Sequence, residues 1–210
     1  VKSPAEISAR SIKAVSQRAS DAQLLILTHS DFTQNLGRLV EWKQSRGLRT
    51  QLVEIQDLFD ELTGGYASPY PIRDYIKHVY RSQPTPSLKY VLLVGGSCTI
   101  SAYQTFLPAY AFLQSGTHAS DNFFAALDDK DEREAPTIAV GRLSVRTTEQ
   151  LNNTINKIIE YENGKNLGPW QARFLMIAAS YGWASKDALG LIDKFVYPNY
   201  LASYLHTDPS

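Results

Sequence analysis

Short apolar runs alternate with segments of helical periodicity along most of the chain. Apolar runs of this length predict strands that are buried on both faces, as in a parallel sheet. Helical segments separate the strands, and this order predicts parallel βαβ units with right-handed crossovers. The fold class is therefore predicted as α/β, a parallel sheet with flanking helices. The predicted strands are Leu24–Leu27, Thr50–Ile55, Tyr90–Val94, Thr137–Val140 and Phe174–Ala178.

Cap residues and breakers delimit the helices between these strands. Thr28, His29, Ser30 and Asp31 offer cap side chains ahead of apolar residues at helical spacing, and Gly47 ends that helix. The other predicted helices are 57–62, 68–79, 147–162 and 185–205.

Length and composition fit one domain, since 210 residues with 43% hydrophobic residues can bury a continuous core. Residues 1–20 are polar and weakly periodic, and they are predicted to be a lead-in or linker. Residues 21–210 are predicted to form the α/β domain. The chain shows no internal repeat.

The net charge and the length of the apolar runs limit which partners the chain is expected to bind. Lys plus Arg and Asp plus Glu both number 21, so no net field favours nucleic acid or an anionic membrane surface. No run reaches the roughly 18 to 20 apolar residues that span a bilayer. Cys98 is the single cysteine, which excludes an internal disulfide. Neither nucleic acid nor a membrane is therefore expected as a partner.

Ligands of an open parallel sheet bind beyond the carboxyl ends of its strands, so the residues that follow each strand are candidates. Gly95 and Gly96 follow the third strand and could bring backbone amides to an anion, although no phosphate-loop motif is present. Cys98 could be a nucleophile only beside a base, and a small half-buried residue is the favoured alternative. His29 is interpreted as a hydrogen-bonded loop residue rather than a catalytic one.

Acidic residues are concentrated between the predicted strands near residues 94 and 137. Oxygen ligands closely spaced on a loop suit Ca²⁺, although the EF-hand pattern with its central Gly is absent. The alternative is a solvated charged turn that neighbouring basic residues partly neutralise. The candidate cleft or calcium residues are Asp121, Asp128, Asp129 and Asp131, of which the last three are the predicted metal ligands.

Several segments in order resemble the gingipain-like cysteine peptidases, a caspase-fold family that includes the sorting protease of type IX secretion. The resemblance covers about Leu24 to Glu162 and is weaker to Ala178, and the stretch from Gly141 to Thr147 is the most specific part. The matching segments read LILTHSDF, WKQSRGL, VEIQDLFDELTGG, PIRDYIKHVY, KYVLLVGG, ASDNFFAALDD, AVGRLSVRTTEQ and NKIIEYE.

The resemblance implies a three-layer caspase-like sandwich that hydrolyses polypeptide substrates by a Cys thiolate with a His base. In such enzymes the dyad follows the region seen here, so this chain is expected to be an N-terminal portion that is inactive alone. Asp121 matches a cleft-facing position and is expected to shape the cleft or bind calcium. An extracellular or cell-surface location is implied as well.

Two departures keep an alternative open. Relatives resembling the sorting protease tend to carry Asp where this chain has Gly96, and acidic residues where it has Ala179 and Ser180. A non-catalytic scaffold or binding module is therefore the second hypothesis, and a nucleotide-binding doubly wound domain is the third. An incomplete sheet would expose a strand edge, which predicts a homodimer or a complementary chain.

Overall fold

The structure is a computed structural model, and it describes residues 21–82, 87–97, 105–112, 118–127, 135–165, 167–179 and 201–207. The chain divides into two compact units, Val1–Ile159 and Glu160–Ser210. The predicted lead-in at residues 1–20 lies outside the described residues.

Four parallel strands form the sheet of the first unit, in the order β2, β1, β3, β6. Their bounds are β1 Leu24–Thr28, β2 Thr50–Glu54, β3 Tyr90–Val94 and β6 Ala139–Leu143. All five residues of β1 are buried, which explains why this strand is an unbroken apolar run. The predicted α/β class with a parallel sheet is confirmed.

Helices connect these strands. They are α1 Ser30–Ser45, α2 Ile55–Thr63, α3 Pro69–Ser82, the short α4 Asn122–Ala125 and α5 Thr148–Glu162, which continues into the second unit. The predicted stop at Gly47 is confirmed, because this residue has a φ of 81° and its amide donates to the Gln44 carbonyl. Gly64, in the left-handed region at φ 65°, ends α2 in the same way.

Two apolar clusters cover the two faces of the sheet. Successive side chains of a strand point to opposite faces, so Leu25 and Leu27 pack with α2, α3 and α4, whereas Leu24 and Ile26 pack with α1 and α5. Each fully buried large apolar side chain contributes about 1.5–3 kcal/mol. The unit is therefore a three-layer α/β/α sandwich.

A small antiparallel hairpin, which the sequence pattern did not predict, precedes α4. It pairs β4 Tyr110–Phe112 with β5 His118–Ser120. Strands of three residues are too short to show an alternation of apolar and polar positions.

The second unit contains a two-stranded parallel sheet of β7 Arg173–Ala179 and β8 Leu201–Thr207. A 3₁₀ helix, Pro169–Ala172, leads into β7. The predicted helix 185–205 is wrong over its last residues, since 201–207 is a strand whose backbone groups pair with β7 in unbroken register. Non-local pairing here overrides local helical preference. Residues 185–200 lie outside the described part.

None of the helices described is long and apolar enough to cross a membrane.

Burial destabilises the charged form of Asp74 on α3. Desolvation raises the pKa of this carboxyl, against a lowering by the charges of Lys77 and Arg73. The folded chain therefore binds a proton at pH values where the unfolded chain has lost it, and stability falls as pH rises through that range.

We expect Asp74→Asn to be more stable than the wild type at neutral pH, because the amide has no charge to desolvate. The gain should shrink as the pH falls through the carboxyl range and Asp74 becomes neutral. Urea unfolding between pH 3 and pH 7 measures this difference. Asp60→Asn, which removes an exposed carboxylate of α2, controls for the loss of one charge, and a pH-independent Asp74→Asn effect would contradict the assignment.

Candidate functional site: the carboxyl edge of the sheet

Parallel pairing brings the carboxyl ends of three strands to one edge. Thr28, Val94 and Leu143 are direct partners across β1, β3 and β6. The residues that follow them, and the segments that approach this edge, form the candidate site, as expected for an open parallel sheet.

His29 follows β1 and caps α1. Its Nδ1 accepts a hydrogen bond from the Asp31 amide at 3.2 Å, and its ring lies edge-on to Phe106 with the ring centroids 5.4 Å apart. The imidazole of His29 therefore acts as the N-cap of α1. The predicted role as a hydrogen-bonded loop residue is confirmed.

Gly95 and Gly96 extend the pairing of β3 with the chain after β6. Their amides donate to the carbonyls of Leu143 and Val145 at 3.0 and 2.9 Å. Because both amides already have acceptors within the protein, they do not offer the anion site that the sequence suggested as an alternative. The nucleotide hypothesis therefore loses the feature on which it rested.

Gly95 also has a steric role. Its φ is 131°, and a Cβ at this position would lie 2.9 Å from Cβ of Phe106. Only glycine combines this backbone conformation with such a close approach. The glycine thus lets the segment around Phe106 lie directly against the exit of β3.

Arg142, on β6, is the most highly connected side chain of the site. Its Nε and Nη2 donate to the two carboxylate oxygens of Asp121, both at 2.8 Å. Its Nη1 donates to the carbonyls of Gly95 at 2.9 Å and Leu107 at 3.0 Å, and Nη2 has a longer contact of 3.5 Å with the Pro108 carbonyl. We call this arrangement the Arg142 clamp; it consists of Arg142, Asp121 and these three carbonyl groups.

The clamp is largely removed from solvent. The side chain of Arg142 is 9% exposed and that of Asp121 is 27% exposed. A buried guanidinium is tolerated only when a counter-charge and enough acceptors replace its hydration, and here a bidentate carboxylate and the carbonyls do so. Asp121 is thus brought to the carboxyl edge in a neutralised ion pair.

The structure does not describe the other candidate site residues. Asp128, Asp129, Asp131 and Cys98 lie outside the described residues. Within the described part of the chain no three His, Cys, Asp or Glu side chains converge as a metal site would need. Calcium binding and the cleft role of Asp121 stay predictions.

Sequence reasoning did not identify Arg142 as a site residue. A signal was present, because a basic residue on a β-strand must find a counter-charge if its side chain is buried. The stretch from Gly141 to Thr147 was also the most specific part of the family resemblance. Only the folded chain shows that the counter-charge is Asp121, which lies 21 residues earlier in the sequence.

The residues described at the carboxyl edge make structural contacts and supply no nucleophile paired with a base. A parallel sheet between two helical layers, with its loops held at the carboxyl edge, defines a three-layer α/β domain. The sequence profile of peptidase family C25 matches residues 17–209. The chain belongs to this family of gingipain-like cysteine peptidases.

Relatives of known name agree with this assignment. Gingipain R2 and gingipain R1 of Porphyromonas gingivalis are each 26% identical over 194 residues, which is 91% of this chain. The matched region is 24% and 18% of the lengths of these relatives, so the chain spans only about a quarter or less of either.

Two solved structures share the fold. The crystal structure of dimeric latent PorU from Porphyromonas gingivalis aligns with a TM-score of 0.61 and 21% identity, over 80% of this chain and 20% of that one. A structure described as that of a protease aligns with a TM-score of 0.64 and 17% identity, over 90% of this chain and 40% of that one.

A methyl group at Gly95 should strain the β3 exit. We expect Gly95→Ala to lower the free energy of unfolding by about 1–3 kcal/mol, through positive φ and the contact with Phe106. Gly96→Ala is the matched control, because a Cβ there meets only ordinary contacts, the nearest at 3.5 Å. Its effect should stay within about 1 kcal/mol. Urea denaturation measures both, and equal effects would contradict the steric role of Gly95.

Removing one partner of the Arg142 clamp should lower the stability of the folded chain. We expect Arg142→Met to destabilise the chain by about 3 kcal/mol, since it leaves the Asp121 carboxylate without its counter-charge. In a double-mutant cycle with Asp121→Asn the two changes should couple by about 1–3 kcal/mol. Arg49→Met, which breaks an exposed pair with Asp21, is the control and should cost at most about 1 kcal/mol. Additive effects of the two clamp variants would refute the pair.

Proposed function

We propose that this chain is the N-terminal portion of a gingipain-like cysteine endopeptidase domain, whose Cys and His dyad lies outside the chain. Peptide-bond hydrolysis and polypeptide substrates come from the family to which the chain belongs. The observation that carries the proposal is that the polar side chains described at the carboxyl edge have structural roles. Arg142 holds Asp121 at this edge, whereas His29 is used as a helix cap.

The cysteine content of the chain and the contacts of His29 support a dyad elsewhere. Cys98 is the single cysteine of the chain, and a thiolate nucleophile needs a base or a lowered pKa to form at neutral pH. His29, at the exit of β1, already accepts a backbone hydrogen bond through Nδ1. The resemblance also puts the dyad at two later strands, which is why no catalytic role is assigned to Cys98.

Calcium, location and oligomeric state are further parts of this proposal. Both oxygens of Asp121 accept hydrogen bonds from Arg142, so a calcium site would depend on Asp128, Asp129 and Asp131. An extracellular or cell-surface location follows from the resemblance alone. The PorU structure is described as dimeric, and a homodimer or a complementary chain is proposed here by analogy.

A non-catalytic scaffold is the second candidate. It is favoured by the departures at Gly96 and at Ala179 and Ser180, where acidic residues would be expected from the sorting-protease resemblance. At Gly96 the structure leaves room for a side chain, whose Cβ would lie 3.8 Å from Cζ of Arg146. The missing carboxylate at this position is thus a loss of charge next to a guanidinium and has no steric cause.

Covalent labelling separates the two candidates. The full-length protein encoded by the gene is treated with a peptide that carries a thiol-reactive acyloxymethyl ketone, and the modified residue is located by mass spectrometry. We expect one cysteine beyond Ser210 to be labelled, because only a cysteine activated by a base reacts rapidly.

Two controls define the result. Cys98→Ser should be labelled like the wild type, since the proposed nucleophile is a different residue. Loss of labelling in Cys98→Ser would place the nucleophile within this chain and refute a dyad outside it. A folded full-length protein that takes no label would support the scaffold.

A further inference from the structure

We propose that Arg142 is a positioning residue of the substrate cleft, which holds Leu107, Pro108 and Asp121 against the exit of β3 as one wall. The part of this inference that concerns substrate rests on the proposed function. The part that concerns positioning rests on the contacts of the guanidinium alone.

Arg142 connects segments that are distant in sequence. The carbonyls of Gly95, Leu107 and Pro108 lie 47, 35 and 34 positions before it, and the carboxylate of Asp121 lies 21 positions before it. These groups belong to a strand exit, to the segment that leads into β4 and to the residue before α4. One side chain therefore sets the relative position of three pieces of backbone that close the same edge of the sheet.

Only arginine can make this set of contacts. The guanidinium has five N–H groups in a planar fork, and the clamp contains five donor contacts, two of them bidentate to one carboxylate. A lysine has the same charge but only three donors on one nitrogen, so it cannot reach a carboxylate bidentately and the carbonyls of two other segments at once.

Next to the Arg142 clamp lies an aromatic cluster of Tyr70, Tyr110 and Phe123. Asp121 precedes α4, and Phe123 of that helix stacks on Tyr110 of β4 with ring centroids 4.0 Å apart and planes at 4°. Tyr70, which is 54% exposed, lies edge-on to both rings. A displacement of Asp121 would therefore also displace the aromatic surface next to it.

The ion pair between Asp121 and Arg142 also affects how a substrate would be recognised. Because its two oxygens are held by Arg142, the wall presents backbone groups and aromatic rings in place of a free negative charge. Its contribution to substrate binding is thus one of shape, which depends on how rigidly the three segments are held.

Arg142→Lys tests the inference, because it keeps the charge and loses the fork. The matched control is Arg49→Lys, at an exposed Arg and Asp pair beside the amino end of β2. Hydrogen exchange of this chain is the first measurement. We expect exchange at 105–112 and 118–127 to be faster by about tenfold in Arg142→Lys, with β1 and α1 unchanged. The control should match the wild type throughout.

The second measurement uses the full-length protein and the same peptide acyloxymethyl ketone. In Arg142→Lys we expect the inhibition constant of the probe to rise by about tenfold, while the maximal rate of inactivation stays within about twofold of the wild-type rate. A residue with a purely structural role would instead lower the amount of folded protein that reacts and leave the inhibition constant of that protein unchanged.

The outcomes test the positioning role and the substrate-binding role of Arg142 separately. Unchanged exchange at 105–112 and 118–127, or exchange that rises equally in β1, would overturn positioning by Arg142. Faster local exchange with an unchanged inhibition constant would overturn the role in substrate binding. A wild-type protein that takes no label would remove the substrate role together with the proposed function, whereas the exchange result would still decide the positioning role.

Discussion

Parallel pairing of β1, β3 and β6 aligns Thr28, Val94 and Leu143 at one edge, and the functional geometry depends on this alignment. Side chains of β1 point alternately into two apolar clusters, so a slip of one residue would move each cluster to the wrong face. The burial of both faces therefore fixes the register, and the register decides which loops meet. His29, Gly95 and the chain after Leu143 become neighbours for this reason.

The guanidinium of Arg142 adds a polar constraint to the apolar packing of the sheet. The guanidinium of Arg142 is nearly buried, which would cost several kcal/mol per ion without compensation. The bidentate Asp121 and the three carbonyl contacts offset that cost and at the same time join the exit of β3 to the segments around Leu107 and α4. Gly95 permits the same close approach sterically. One polar and one steric constraint thus hold the carboxyl edge of the sheet.

In the proposed function, the shape of the cleft and the catalytic chemistry come from different parts of the fold. The chain belongs to peptidase family C25, and the proposed wall lies at the edge where ligands of parallel sheets bind. In the proposed enzyme, the later strands would contribute the thiolate and its base. The wall would then position the polypeptide in front of them.

The sequence by itself determined the α/β class, the four strands of the main sheet to within a few residues, and the family. The class and the strands follow from buried apolar runs and cap residues, which are local signals. The family follows from the resemblance of several motifs in order. It also indicated Asp121, but only by resemblance. Tertiary structure alone decided that Arg142 is the partner of Asp121, that β4 and β5 form a hairpin and that 201–207 is a strand. The ion pair and the β7–β8 pairing join residues far apart in the chain, which no local pattern specifies, whereas the strands of the hairpin are too short to show a pattern.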